Sequence, residues 1–134
     1  MKWTFVAAAA MLACFGYSAV AQDDWYHERE ERFRNEQWRH HIFDHVRSDL
    51  DHIGSARYAA ERERRRLDRT RQELSELQAK LDAGRYDQGE LNDVIDSITK
   101  SANDERLSPR DRDVLHDDEH RLREYREHHE HWYH

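Results

Sequence analysis

Apolar side chains recur every seven residues between Ala59 and Gly84, and no other feature of this chain constrains its fold as strongly. The repeat is formed by Ala60, Leu67, Leu74 and Leu81, with Thr70 and Leu77 at the intervening positions. This spacing is typical of a helix that packs one face against other helices. We therefore predict a long helix over about residues 56–83, inside a helical bundle.

The residues after this repeat predict a sharp turn into another helix. Gly84 suits the first position beyond a helix end, which favours a left-handed backbone. Asp87 and Glu90 have the spacing of a capping box. The apolar pair that flanks such a box is Tyr86 and Leu91. A helix over about 88–102 follows, and its apolar face consists of Leu91, Val94, Ile95, Ile98 and Ala102.

Two further helices are predicted, one on each side of this hairpin. The first covers about 24–53, and Gly54 supplies its left-handed stop. The fourth covers about 109–131, because Ser108 suits an N-cap and Pro109 suits a first helical position. The inner face of the first helix is Trp38, Ile42, Phe43, Val46, Leu50 and Ile53, and that of the fourth is Val114, Leu115, Asp118, Leu122, Tyr125, His129 and Trp132.

These apolar stripes are narrow, with mostly two large apolar residues in every seven. Narrow stripes suit a slender bundle better than a thick globule. The predicted fold is therefore all-α: an elongated antiparallel helical hairpin or bundle of about four helices that follows an N-terminal signal peptide. A slender bundle can complete its burial by pairing with a second copy, so a monomer and a homodimer both remain open.

The first 21 residues have the layout of a secretory signal peptide. One lysine is followed by an apolar run over 3–15, and residues 19–21 (Ala-Val-Ala) form a small-x-small cleavage site. We predict cleavage after Ala21, a single helical domain over 22–134 and a periplasmic or secreted location in bacteria. Two alternatives remain open: a lipobox that ends at Cys14, and an uncleaved signal that anchors the chain in the membrane.

Composition argues against several functions. Cys14 is the only cysteine, so the predicted mature chain has no disulfide, thiol nucleophile or cysteine-bound zinc. The net charge is −7, and acidic and basic residues alternate in place of forming the basic face of a nucleic-acid binder. We therefore expect no nucleic-acid partner. The charged run over 61–66 favours a solvated helix face, with an anion-binding patch as the alternative.

Histidine is the compositional outlier, with 11 residues, all in the predicted mature chain. His41 and His45 are four residues apart on the predicted first helix, so both imidazoles could reach one metal ion, and Asp49 continues the row. His116 and His120 have the same spacing on the predicted fourth helix. These four histidines are the predicted ligands for Zn²⁺, Cu²⁺ or Ni²⁺. A physiological site, an adventitious site and plain solvated histidines all remain open.

No catalytic residue is predicted. Residues 116–120 match the H-x-x-E-H pattern of inverted zinc peptidases. Those enzymes need a third ligand, a substrate cleft and a longer chain, so the match does not indicate a peptidase. The chain also has no glycine-rich phosphate loop and no serine in a triad context. We therefore expect a protein that is not an enzyme and has no organic cofactor.

One short motif carries a family resemblance. Residues 107–111 read Leu-Ser-Pro-Arg-Asp, and they resemble the L-T-x-x-Q motif of the small periplasmic all-helical Spy/CpxP-type chaperones, with Ser for Thr and Asp for Gln. The chain also resembles uncharacterised exported bacterial proteins that are rich in Arg, Asp and His, a resemblance that implies no activity. The first resemblance implies an exported helical protein that binds other proteins or acts in envelope stress. The alternative function is histidine-dependent binding or buffering of divalent metals.

Overall fold

The structure is a computed structural model, and it describes residues 24–34, 36–55 and 60–132. The α-helices are α1 (24–32), α2 (Ile42–Gly54), α3 (Glu61–Asp82), α4 (Gln88–Ala102) and α5 (Pro109–Trp132), and a 3-10 helix, Glu36–His41, precedes α2. The predicted all-α class is confirmed, since the described residues contain no strand. The predicted signal peptide lies outside the described residues.

Two compact units divide the chain: one ends at Trp38 and the other begins at Arg39. In the second unit, α2 packs on α3, α3 on α4, α4 on α5, and α5 on α2. The four helices therefore form a closed ring, and the predicted hairpin of α3 and α4 is one side of it. Short connections between consecutive helices favour an antiparallel arrangement of neighbours.

Side-chain pairs between α3 and α4 establish that these helices are antiparallel. The hydroxyls of Thr70 and Ser97 lie 2.8 Å apart. Lys80, which is farther along α3, donates to Asp87, which comes just before α4, at 2.8 Å. The later residue on α3 thus meets the earlier residue of α4, as the hairpin requires.

The apolar faces of these four helices turn into one core. The buried apolar residues are Ile42, Phe43, Val46, Leu50 and Ile53 on α2, Leu67, Leu74 and Leu77 on α3, Leu91, Val94, Ile95, Ile98 and Ala102 on α4, and Val114, Leu115, Leu122 and Tyr125 on α5. These are residues that helical periodicity assigned to the inner faces. Two members of the seven-residue repeat differ, because Ala60 precedes α3 and is exposed, and Leu81 lies in the last turn of α3 and is half-buried.

The sequence predicted one continuous helix over 24–53, and the structure differs. α1 ends at residue 32, where the amide of Phe33 donates to the carbonyls of both Arg29 and Glu30, at 3.3 and 3.2 Å. Bonds to the third preceding carbonyl tighten and terminate a helix. The break lets the ring of Phe33 pack edge-on against Trp38, with centroids 5.8 Å apart. Residues five apart on one α-helix would point to different faces, so this contact needs the break.

The turn between α3 and α4 has most of the geometry that its sequence predicts. Gly84 has a φ of 79°, and the amide of Arg85 donates to the carbonyl of Lys80 at 2.8 Å, which closes the helix end. The side chain of Asp87 accepts a hydrogen bond from the amide of Glu90 at 3.0 Å. The carboxylate of Glu90 bonds instead to the ammonium group of Lys80, at 2.5 Å. The N-cap is therefore confirmed, whereas the reciprocal half of the capping box is replaced by an ion pair.

The end of α2 differs from its prediction. Gly84 is the glycine with a positive φ in the described residues, and Gly54 is helical. The cap of α2 is Ser55, whose amide donates to the carbonyl of Asp51 at 3.0 Å. A Cβ atom added to Gly54 would lie 3.9 Å from the side chain of Leu67, so the close neighbour of this glycine is α3. The glycine at position 54 therefore reflects the close approach of α2 and α3, and not a left-handed residue that ends the helix.

Candidate functional site

The first predicted histidine pair lies where the helix type changes. His41 is the last residue of the 3-10 helix, and His45 lies in the first turn of α2. The backbone of His41 has φ −128° and ψ 28°, outside the α-helical region. The prediction that the two imidazoles share one helix face assumed a continuous α-helix. The structure places them in different elements, and their shared metal site stays a prediction.

The second predicted pair, His116 and His120, lies one turn apart on the continuous helix α5. Their side chains are 49% and 74% exposed. The Nδ1 atom of His116 is 3.6 Å from the carboxylate of Glu119, and Nε2 of His120 is 3.9 Å from that of Glu124. Among the described residues, no group of three or more His, Cys, Asp or Glu side chains is arranged to hold a metal ion. This pair therefore offers two imidazoles on an open surface.

The three defining residues of the H-x-x-E-H pattern, His116, Glu119 and His120, lie on one face of α5. Asp118, in the middle of the pattern, is fully buried. The carboxylate of Glu119 binds Arg123 at 2.7 Å, an ion pair within the same helix. The motif is thus part of an ordinary amphipathic helix, with one side in the core and the other in ion pairs.

His129 packs within the second unit. Its ring stacks on Tyr86 with centroids 3.9 Å apart and an interplanar angle of 18°. Tyr125 lies beside both rings, with its centroid 6.5 Å from that of Tyr86. Burial raises the pKa of the Tyr86 hydroxyl. This cluster fixes the end of α5 against the turn before α4, which is a structural role for His129.

Acidic residues accompany His52 near the contact of α2 and α5. Burial lowers the pKa of His52, while the carboxylates of Asp111, Asp49 and Asp51 act in the opposite direction. Asp49 and Asp118 are fully buried, and Asp111 is nearly so. The sequence predicted that Asp118 lies on the inner face of its helix. It placed Asp49 in one row with His41 and His45, but it did not predict that Asp49 is buried. Charged groups on both helices thus surround His52, so its protonation is coupled to the packing of this seam.

The charged run over 61–66 contains a buried residue that sequence reasoning missed. Glu63 is 2% exposed, and its Oε1 accepts a hydrogen bond from Nη1 of Arg106 at 2.9 Å. This bond holds the pKa of the Glu63 carboxyl below its usual value. The signal was present in the sequence, because Glu63 lies four residues before Leu67 and seven before Thr70, on the inner face of α3.

Burial of Glu63 leaves the arginines of the run on the outer side of α3. Arg62, Arg65, Arg66 and Arg69 recur at spacings of three, one and three, which places them on one helix face. Together with Glu61 they line a surface depression. Arg65 pairs with Glu61 at 2.6 Å and Arg66 with Asp104 at 3.5 Å. We call these four arginines the basic half of the α3 face.

The same helix face is acidic in its next turns. Glu73 follows Arg69 by four residues and Glu76 follows it by seven, so both continue the stripe. Burial raises the pKa of Glu73, and the carboxylates of Asp93 and Glu90 on α4 raise it further. We call Glu73, Glu76, Glu90 and Asp93 the acidic half, and the two halves together the divided face.

Lys80 ends the stripe but does not make its acidic half positive. Its ammonium group binds Asp87 at 2.8 Å and Glu90 at 2.5 Å. Hydrogen bonds to these two carboxylates raise the pKa of Lys80, and the bond from Lys80 lowers the pKa of Asp87. The lysine is therefore neutralised locally by two carboxylates, and it ties the end of α3 to the start of α4.

The fold and the site define the class: an all-α protein whose second unit is a ring of four helices with a charge-divided outer face. No family model, no curated protein and no solved structure matches the chain significantly. In the part of the chain that is described, no helix is both long enough and apolar enough to cross a bilayer.

Proposed function

We propose that this chain is a non-enzymatic, exported protein that binds other proteins through the divided face of α3. The observation that carries the proposal is the outward row of Arg62, Arg65, Arg66 and Arg69 followed by Glu73 and Glu76. The apolar faces of the four helices are used in the core of the second unit. In the described part of this unit, charge is therefore the recognition chemistry that the surface of α3 offers.

The arginines of the basic half contribute little to folding. Arg62, Arg65 and Arg69 are exposed, and the pair of Arg65 with Glu61 is the kind of exposed ion pair that contributes only about 0–1 kcal/mol. The charge of these arginines therefore lies where a partner can contact it.

The dimensions of the divided face favour a protein partner. The stripe from Arg62 to Glu76 spans about 21 Å at 1.5 Å per residue, which exceeds the length of a small anion. Nucleic acid and an anionic membrane would meet repulsion at Glu73, Glu76 and Asp93. A protein surface can present both signs of charge at this spacing.

The expected location agrees with this function. A signal peptide over 1–21 would export the chain, and the resemblance of residues 107–111 to the Spy/CpxP-type chaperones suggests a partner in the periplasm. We propose contact with proteins of the envelope, made by charge, without any catalytic residue.

Photo-crosslinking tests the proposal. A benzophenone amino acid replaces Arg65 in the full chain inside the producing cell, and irradiation is followed by mass spectrometry of the adducts. The matched control carries the same group at Arg123, an exposed arginine on α5. We expect discrete protein adducts at position 65 that exceed those at position 123 and disappear when Arg62 and Arg69 are changed to Glu. Equal adducts at both positions would overturn the proposed function.

A second candidate function is divalent-metal binding at His116 and His120. The supporting observation is that both side chains are exposed one turn apart on a continuous helix, so both imidazoles can reach one ion. A calorimetric titration of the full chain with Zn²⁺, Cu²⁺ and Ni²⁺ tests it. We expect one ion per chain, lost in H116A/H120A and retained in H41A/H45A. Heat that is equally weak in all three proteins would overturn it.

A further inference from the structure

We propose that the partner bound by the divided face is a second copy of this chain, with the two α3 helices antiparallel. This inference rests on the proposed function and names the partner. The order of charge along α3 is the reason. One helix face presents four arginines over 62–69 and then two glutamates at 73 and 76, so the face is complementary to its own reverse.

A two-fold axis places the same patch of both copies in contact. If the axis crosses the face near residue 71, midway between Arg69 and Glu73, each residue n lies opposite residue 142 − n of the second copy. Arg69 then faces Glu73 of the second copy, and Arg66 faces Glu76 of the second copy. Symmetry repeats both pairs, so the contact has four ion pairs and no like charges directly opposed among these residues.

The ends of the contact are complementary as well. In this register Arg62 lies opposite Lys80 of the second copy, which is already bound by Asp87 and Glu90 of its own chain. Arg62 therefore meets a site with two carboxylates and one ammonium group, which carries a net negative charge. Arg62 has no ion pair of its own among the described residues, so it can accept this contact without losing one.

The pairs within one chain do not prevent this association. Arg66 binds Asp104 of its own chain through Nη1 at 3.5 Å, and its guanidinium group has other N–H donors for Glu76 of the second copy. In the proposed contact several such charges form one network between two chains, where each pair is less exposed to solvent than in a single chain. Since the chain has a net charge of −7, two copies repel at long range, and salt acts on both this repulsion and the local attraction.

Two charge-reversed variants test the inference by sedimentation velocity of the full chain. R66E/R69E makes the four facing positions of the contact (66, 69, 73 and 76) all acidic, and E73R/E76R makes the same four positions all basic. We expect each variant alone to be monomeric at concentrations where the wild-type chain dimerises. An equimolar mixture of the two is expected to dimerise again, because the four acidic positions of one variant now face the four basic positions of the other. Helix content and melting temperature of each variant, measured by circular dichroism, verify that it is folded.

The matched control is K100E/R123E, which changes the net charge as R66E/R69E does but lies at exposed positions on α4 and α5. It is expected to dimerise like the wild-type chain. A monomeric wild-type chain, or variants that dimerise alone as well as the wild type does, would overturn the inference. If the chain is monomeric but Arg65 still crosslinks to a different protein in the cell, the proposed function stands and the identity of the partner is wrong. If the wild-type chain is monomeric and position 65 also gives no specific protein adduct, the proposed function is wrong as well.

Discussion

Arg106, in the connection between α4 and α5, donates a hydrogen bond to Glu63 in the first turn of α3, although 43 positions separate them in the sequence. Glu63 is buried and Arg106 is 65% exposed, so the arginine closes one end of the bundle over an internal carboxylate. This contact keeps a charged residue on the inner face of α3. It is therefore part of the reason that the neighbouring arginines face outward.

Replacing Arg106 by glutamine is expected to raise the pKa of Glu63 and to lower the free energy of unfolding. In the wild-type chain the pKa of Glu63 is below its usual 4.5, so its stabilising effect is present above pH 4.5 and is lost as the pH falls through the folded pKa. The difference between R106Q and wild type should therefore shrink as the medium becomes acidic. Urea unfolding over a range of pH measures it. R65Q, which removes an exposed pair, is the control, and equal effects of both variants would contradict this account.

Changing Leu74 to Asp is expected to unfold the bundle. Leu74 is fully buried on α3, and an unpaired carboxylate there costs several kcal/mol, about 3–5. Thermal melting followed by circular dichroism measures the loss. Gln72→Asp adds the same group at an exposed position two residues away and is expected to melt within a few degrees of wild type. Wild-type melting of L74D would mean that the inner face of α3 is wrongly assigned.

Alanine at two glycines should change stability in opposite directions. Gly84 has a φ of 79°, where a Cβ atom costs about 1–2 kcal/mol, so G84A is expected to lower the free energy of unfolding. Gly89 lies in the first turn of α4 with room for a Cβ atom 3.5 Å from Asp87, so G89A should stabilise the helix by up to about 1 kcal/mol. Chemical denaturation of both variants measures the two effects. If G84A and G89A change the free energy of unfolding in the same direction, the assigned turn is contradicted.

Acid should weaken the contact of α2 with α5 through His52. Burial lowers the pKa of His52 below 6.5 in the folded chain, so the unfolded chain binds this proton more tightly. The free energy of unfolding is then highest above pH 6.5 and decreases as the pH falls through 6.5 toward the folded pKa. Asp111, Asp49 and Asp51 limit the decrease.

The variant H52Q should lose this part of the pH dependence, whereas H120Q, at an exposed position on α5, should retain it. The measurement is the unfolding free energy of wild type and both variants from pH 8 down to about 5, the range in which histidine titrates. If the unfolding free energy of wild type and of H52Q depends on pH in the same way, the protonation of His52 is not coupled to the packing of α2 on α5.

Periodicity predicted the inner faces because burial of apolar side chains dominates the packing of helices. Local backbone chemistry predicted the turn at Gly84 and Asp87, because a left-handed residue and an N-cap depend on few neighbouring residues. The break after α1 could not be read in this way, since it depends on the contact of Phe33 with Trp38 across the break.

The site was harder to predict than the fold. The charge of Glu63 predicts a solvated residue, whereas its position on the repeat predicts the inner face of α3, and its partner, Arg106, comes from a distant connection. The divided face follows from that burial: the arginines lie outward once the inner direction of this helix segment is known. The histidines were conspicuous by number, but the structure distributes His41, His45 and His129 over different elements and packing environments.

Spin-label distances between two copies test the central claim, the antiparallel contact of two divided faces, most directly. Labels at Q72C and, separately, at A79C, both exposed positions on α3, are introduced into a chain with C14S, which removes the only natural cysteine. With the two-fold axis near residue 71, the two copies of position 72 are offset along the helix by about 3 Å and those of position 79 by about 24 Å. We predict a short distance at position 72 and a distance longer by roughly 15–20 Å at position 79. No dipolar coupling between copies, or equal distances at both positions, would contradict the account.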